Sequence, residues 1–246
     1  MRTADEFNAY YANHDPWGVS QATFRDRVLR RRLTRAIRNK RVLELGCGEG
    51  HLTQAVFHRA RSVMAVDISD VAIARAKALM LQNASFEAAD LLDISFEGYD
   101  VIAAIECIHF LSHKEQGAFL AKVAREHRGK MLFLSGPIID YQKHFGHRRL
   151  MLEFKALGFT VIRFYNLSVY WHPLSFRIVA NLLRLPLGYR LLDWLPERMI
   201  YQRLYALRAP QHRSYTNEHF SPATKTSHFA SRAHVGHIAG RSVNPI

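Results

Sequence analysis

The stretch "VLELGCGEGHLT", Val42 to Thr53, sets glycines at 46, 48 and 50 directly behind an apolar run, with a carboxylate at Glu44. A short apolar run of this kind reads as a buried strand, and alternate glycines after it make a turn that brings bare backbone up to a neighbour or ligand. In an open α/β sheet the first strand-to-helix turn is where phosphates and cofactors are cradled. The spacing narrows the choice. A dinucleotide fingerprint needs G-x-G-x-x-G, whose third glycine would fall at His51, and a phosphate-binding P-loop needs Gly-Lys-Ser/Thr where this chain has Gly50-His51-Leu52.

The rest of the chain follows the same rhythm up to residue 172. Strands are expected at "RVLEL", at "SVMAVD" (62–67), "ASFEAAD" (84–90), "YDVIAAIE" (99–106), "KMLFLSG" (130–136) and "GFTVIRFY" (158–165). Helices are expected at 22–38, from Ser69 to Leu81, after the capping box Ser112-His113-Lys114-Glu115, and around 144–157. Strands alternating with helices imply βαβ units and a mostly parallel sheet. In the 22–38 helix Leu29, Leu33, Ala36 and Ile37 form the apolar face and arginines fill the others. Beyond Trp171 the Leu/Arg-rich, Pro-punctuated stretch to residue 197 reads as two short amphipathic helices, "RMIYQRLYALRA" (198–209) as a last strand, and 211–246 as a disordered tail.

Charge has to be located before it is interpreted. The formal net charge is +13. Residues 42–172 hold 14 bases and 14 acids, so the excess sits at 21–41 (nine against one), 173–210 (six against two) and 211–246 (four against one), offset by a net −2 in residues 1–20. A neutral body with basic appendages argues against a nucleic-acid interface across the whole domain. With only two cysteines, Cys47 and Cys107, neither a disulfide framework nor a zinc site is expected to have enough ligands at the right spacing, and no metal is expected. Charged and polar residues open the chain where a signal peptide needs an apolar stretch, and nothing offers the roughly 18 apolar residues of a membrane span. A cytoplasmic protein is expected, with peripheral contact at the inner membrane surface through 173–197 as the alternative.

The glycine motif resembles motif I of the class I S-adenosylmethionine-dependent methyltransferases, and the resemblance runs in order through residues 42–135. It implies a Rossmann-like fold: a mostly parallel seven-stranded sheet with helices on both faces, an N-terminal helical lid, and a helical insert before the last strand. It implies S-adenosylmethionine as cofactor, S-adenosylhomocysteine as product, and a cofactor site assembled from Glu44, Gly46, Cys47, Gly48, Gly50, Asp67, Ile68, Asp90, Leu91 and Glu106. In that family the glycines admit the methionyl part, the acid matching Asp67 takes both ribose hydroxyls, and the side chain matching Asp90 reaches the adenine amino group while Leu91 packs on the ring. For Cys47 a role as a small filler within the loop is the stronger reading. The stretch "YYANHDPWG", Tyr10 to Gly18, is similar to the start of the NodS-type nodulation methyltransferases, which N-methylate a deacetylated chitin-type oligosaccharide. Tyr10, Tyr11 and Trp17 are therefore candidates for an aromatic lid over the cofactor, with Tyr11 and Trp17 as cofactor contacts, since a sulfonium is attracted to an aromatic face by about 0.5 to 2 kcal/mol; the alternative is that they staple the N-terminal helix to the core.

These readings divide the chain into a lid and basic helix (1–40), the cofactor-binding core (41–172), an insert that caps an acceptor or lies on a surface (173–197), the last strand (198–210) and the tail (211–246). Glu106 and His109, in "IECIHFL" after the fourth strand, are the candidate catalytic residues, the imidazole because it ordinarily titrates near neutrality. The expected function is methyl transfer to a nitrogen or oxygen of a small acceptor that is sugar-like or a secondary metabolite. One alternative is an RNA methyltransferase. Against it, enzymes methylating exocyclic base amines resemble one another in carrying N/D-P-P-Y/F where this chain has Glu106-Cys107-Ile108-His109. The other is a non-catalytic, membrane-docked cofactor-binding protein. The oligomeric state is left open.

Overall fold

The computed structural model describes residues 3–16, 18, 24–139, 144–169 and 192–211. Seven strands form one sheet in the order β3-β2-β1-β4-β5-β7-β6. The strands are β1 (Arg41–Leu45), β2 (Ser62–Asp67), β3 (Ala84–Ala88), β4 (Val101–Ile105), β5 (Met131–Pro137), β6 (Thr160–Val169) and β7 (Ile200–Arg208). The pairings among β1 to β5 are parallel, whereas β7 runs antiparallel between β5 and β6. The expected seven-stranded, mostly parallel sheet is therefore present. Its central strands are buried on both faces, as parallel strands covered by helices must be; all five residues of β4 are shielded.

Six helices complete the description: α1 (Ala4–Tyr10), α2 (Phe24–Ile37), α3 (His51–Val56), α4 (Asp70–Ala78), α5 (His113–Glu126) and α6 (His147–Ala156). Local sequence sets their starts. The Ser69 hydroxyl accepts the Ala72 N–H to cap α4, and α5 opens on the expected capping box between Ser112 and Glu115. Two core clusters flank the sheet. One joins Phe119, Leu120 and Val123 of α5 and Leu150 and Phe154 of α6 to the sheet. The other gathers Leu29, Leu33 and Ile37 of α2, Val56 of α3 and Ile73 and Ala76 of α4. The apolar face read for the basic helix is thus the buried one. Each such leucine contributes roughly 1.5 to 3 kcal/mol, and the arginines between them are left to the outer faces.

Trp17, Trp171, most of the 173–197 insert and the tail from residue 212 lie outside the described residues. Of the insert, Leu192 is fully buried and Trp194 is 87% exposed. The Arg32 guanidinium of α2 ties that end down by stacking on Tyr165, 4.4 Å from the ring centre, and pairing with Asp193 at 3.6 Å. Among the described residues no helix is long and apolar enough to cross a membrane.

Candidate active site

Strand order reverses between β1 and β4, the place where an open α/β sheet leaves a crevice beyond its carboxyl ends. The glycine loop leaves β1 at this point. Gly46, Gly48 and Gly50 all have positive φ, at 69°, 53° and 79°, a region that costs other residues about 1 to 2 kcal/mol. Close approaches give a second reason for bare backbone at two of them. A Cβ on Gly46 would lie 2.3 Å from Cys107 Cβ, and one on Gly48 would lie 2.6 Å from the Tyr11 hydroxyl. Tyr11, just beyond α1, therefore rests on the loop itself, and its side chain is buried.

Four acids stand along the carboxyl edge, one for each of the strands β3, β2, β1 and β4 in spatial order: Asp90, Asp67, Glu44 and Glu106. Asp67 joins the loop to α4, its Oδ2 accepting the Gly48 N–H at 2.8 Å and its Oδ1 the Ser69 N–H at 3.0 Å. Burial raises its carboxyl above the usual range, against the pull of these N–H groups. Glu44 is buried at the root of the loop and accepts the Thr53 hydroxyl of α3 at 2.6 Å. It thus clasps the two ends of the loop together, and burial pushes its pKa up to about 8. Asp90 turns Oδ1 onto its own loop, accepting the Leu92 N–H at 2.9 Å, with Leu91 and Ile68 half-buried at the same edge.

On the other side of the crevice Glu106 also has a positive φ of 55°, a strained conformation for a non-glycine residue that surrounding bonds must hold. They do so from three strands. Ser135 of β5 donates to Glu106 Oε1 at 2.7 Å, Gln202 of β7 donates to Oε2 at 2.7 Å, and Ser168 of β6 donates to the Gln202 carbonyl oxygen at 2.7 Å. Sequence reasoning missed Ser135, Ser168 and Gln202. The available signal was polar residues inside otherwise apolar strands, now seen buried.

His109 requires a correction. Burial pushes its pKa down to about 3, with His144 adding to the shift, so the imidazole stays neutral and does not titrate near pH 7. Its Nδ1 is shielded and finds no hydrogen-bond partner among the described residues. The ring is one of a row: Phe7 of the lid meets Phe110 edge-on at 5.4 Å, Phe110 lies 4.3 Å from His109, and His144 links His109 to Tyr201 of β7. Cys47 is buried in the loop and Cys107 Sγ donates to the Leu45 carbonyl at 3.1 Å. Burial raises both thiols well above their ordinary range, so neither is a nucleophile.

Also missed was the fastening of the N-terminal segment to the glycine loop and α4. Ser69 donates to Asn8 Oδ1 at 2.7 Å, Arg75 of α4 donates to the Asn13 carbonyl at 3.1 Å and pairs with Glu49 of the glycine loop, and the Asp15 N–H donates to Glu49 Oε2 at 3.0 Å.

Comparison with known proteins agrees with this geometry. Residues 42–128 match the family described as methyltransferase domain. The crystal structure of the N-methyltransferase NodS from Bradyrhizobium japonicum WM9, in complex with S-adenosyl-L-homocysteine, is similar at a TM-score of 0.62 and 18% identity, over 85% of this chain and 100% of that one. That of magnesium protoporphyrin IX methyltransferase from Synechocystis PCC 6803, with bound S-adenosylmethionine, is similar at 0.59 and 14%, over 85% of this chain and 98% of that one. In sequence, the magnesium-protoporphyrin O-methyltransferase of Rhodobacter capsulatus is 26% identical over 114 residues, 45% of this chain. The chain spans about half the length of that relative, 51%. Residues 42–128 thus match a methyltransferase domain, and the sheet has the fold of the N-methyltransferase and the porphyrin methyltransferase to which it is similar.

Proposed function

We propose that the protein transfers the methyl group of S-adenosylmethionine to a nitrogen or oxygen of a small acceptor. The observation that carries this reading is the row of four acids, Asp90, Asp67, Glu44 and Glu106, across the strand-order reversal beside a loop whose glycines all have positive φ. The residues present fit the cofactor. Bare Cα atoms at Gly46 and Gly48 let Cys107 and Tyr11 close on the loop and hold its shape, and Asp67 is fixed to it by the Gly48 N–H. Asp67 would hold the ribose hydroxyls, Asp90 and Leu91 the adenine, and Glu44 the shape of the loop, with Ile68 and Cys47 as walls. When bound, the cofactor supplies an electrophilic methyl group on a sulfonium.

This chain's own residues would do the rest. Glu106, pinned by Ser135 and Gln202, is placed to hold an acceptor ammonium or hydroxyl and to take its proton. Neutral His109 would contribute shape, and the N-terminal segment, with Tyr11 on Gly48, would exclude water. The similarity to NodS and to a porphyrin O-methyltransferase supports a small-molecule acceptor, and the neutral core supports it over RNA.

Calorimetry of S-adenosylhomocysteine binding to the wild type and to Asp67→Ala tests the reading. Losing two hydrogen bonds to a charged acceptor, at about 1.5 to 3 kcal/mol each, should weaken binding at least a hundredfold. A folded wild type that binds neither S-adenosylmethionine nor S-adenosylhomocysteine refutes the proposal; binding directs the work to amino sugars and hydroxylated metabolites as acceptors.

A further inference from the structure

One cluster beside the site takes no part in this chemistry. His14, from the segment after α1, and Glu49 and His51, from the glycine loop, bring one ligand atom each within 4.8 Å of one another. His14 Nδ1 lies 3.4 Å from Glu49 Oε2, and His51 Nε2 lies 3.2 Å from the same oxygen. The Asp15 N–H also donates to it, at 3.0 Å. Three nitrogens thus converge on one carboxylate oxygen, more donors than its two lone pairs serve well. A tetrahedral zinc ion with arms of about 2.0 to 2.1 Å keeps its ligand atoms about 3.3 to 3.4 Å apart, which is the spacing of the two imidazoles from Glu49.

We propose that His14, Glu49 and His51 bind a late first-row divalent cation, zinc foremost, with water completing the tetrahedron, and that the ion fastens the N-terminal segment to the glycine loop. The donor set suits such a cation, since two imidazoles and a carboxylate are the ligands of many open zinc sites. The supporting shell is present. Arg75 pairs with the other oxygen of Glu49 and so orients the carboxylate, while also donating to the Asn13 carbonyl next to His14. The guanidinium repels a dication, yet the His14 side of the cluster is open to water, its side chain 68% exposed, which screens that repulsion. The ion would join residues 35 and 37 positions apart in sequence, and the segment it fastens is the one that lays Tyr11 on Gly48.

The site stands independently of methyl transfer and is tested without it. The full chain, free of S-adenosylhomocysteine, is titrated calorimetrically with Zn²⁺ beside His14→Ala and His51→Ala, and Co²⁺ is added to each to read the intense visible absorption of tetrahedral coordination. The two variants matter because the tail carries His212, His219, His228, His234 and His237, which can also take metal. His14 is exposed, so its variant should keep the wild-type circular dichroism spectrum. One site in the wild type, at least tenfold weaker in each variant and with the Co²⁺ absorption lost, is the expected result. Unchanged affinity and Co²⁺ spectrum in both variants, or no binding to the folded wild type, overturns the proposal.

Discussion

Glu44 should make the stability of the cofactor-free protein fall as pH rises, and Glu44→Gln should remove that dependence. The carboxyl is fully buried beneath the glycine loop, it accepts the Thr53 hydroxyl, and Asp67 nearby further disfavours its charge. Its folded pKa is about 8 against an ordinary 4.5. The folded state therefore holds this proton more tightly than the unfolded chain does. Below pH 4.5 both states are protonated and the contribution is complete; between 4.5 and about 8 unfolding releases a proton and stability drains away; above about 8 the folded carboxylate is itself ionised and the loss is complete. At about 1.4 kcal/mol per pH unit over that interval, the whole effect is on the order of 5 kcal/mol.

Glutamine keeps the shape and can still accept the Thr53 hydroxyl, but has no proton to lose. Urea unfolding of both proteins at pH 5, 7 and 9 gives the difference directly, because titration of groups remote from residue 44 is common to both and cancels. The variant should be close to the wild type at pH 5 and more stable by several kcal/mol at pH 9. A difference that is the same at all three pH values refutes the reasoning, since it would mean that the buried carboxyl keeps its proton no more tightly than the unfolded chain.

Two further changes probe the halves of the site. Gly48→Ala adds about 1 to 2 kcal/mol of left-handed strain and a Cβ 2.6 Å from the Tyr11 hydroxyl, so its destabilisation, measured by denaturant unfolding, should shrink by about 1 kcal/mol or more in a Tyr11→Phe background. An equal cost in both backgrounds would show that the lid does not sit on the loop. Gln202→Leu removes the donor to Glu106 Oε2 and should lower kcat about tenfold or more while leaving the dissociation constant for S-adenosylhomocysteine unchanged; parallel loss of both would place Gln202 in the general fold and not in the positioning of Glu106.

The strand ends, turn and caps around the glycine loop were legible because their parts are local. β2 ends at Asp67 where the apolar alternation stops, the glycines sit between β1 and α3, and the Ser112 box opens α5, each settled by a few neighbouring residues. What stayed hidden depends on long-range contact or on desolvation. Asn8 meets Ser69 and His14 meets Glu49 only once the lid folds back, and no residue type announces such a meeting. The near-neutral titration expected of His109 failed for the same reason, since the burial that lowers it to about 3 comes from the packing of residues remote in the chain.

That division of the site has a consequence for how such a chain can change its acceptor. Glu106 is carried by β4, but its two oxygens are held from β5 and β7, and the Gln202 that holds one of them is itself held from β6, across the antiparallel edge pairing that sets Ser168 opposite Gln202. Past a register shift between Asn166 and Ser168, Asn166 stands opposite Arg203 and accepts its Nε–H at 2.9 Å, so a second buried polar pair fixes the pairing on the other side of that irregularity. A one-residue slip between β6 and β7 would turn Ser168 and Asn166 to the other face and leave Gln202 and Arg203 buried without these partners, at about 1 to 3 kcal/mol for each unsatisfied group. The orientation of Glu106 is therefore set by strands that contribute nothing to the glycine loop. Substitutions in β6, β7 or the insert between them can alter what Glu106 meets while Gly46 to Gly50 and Asp67 keep their geometry.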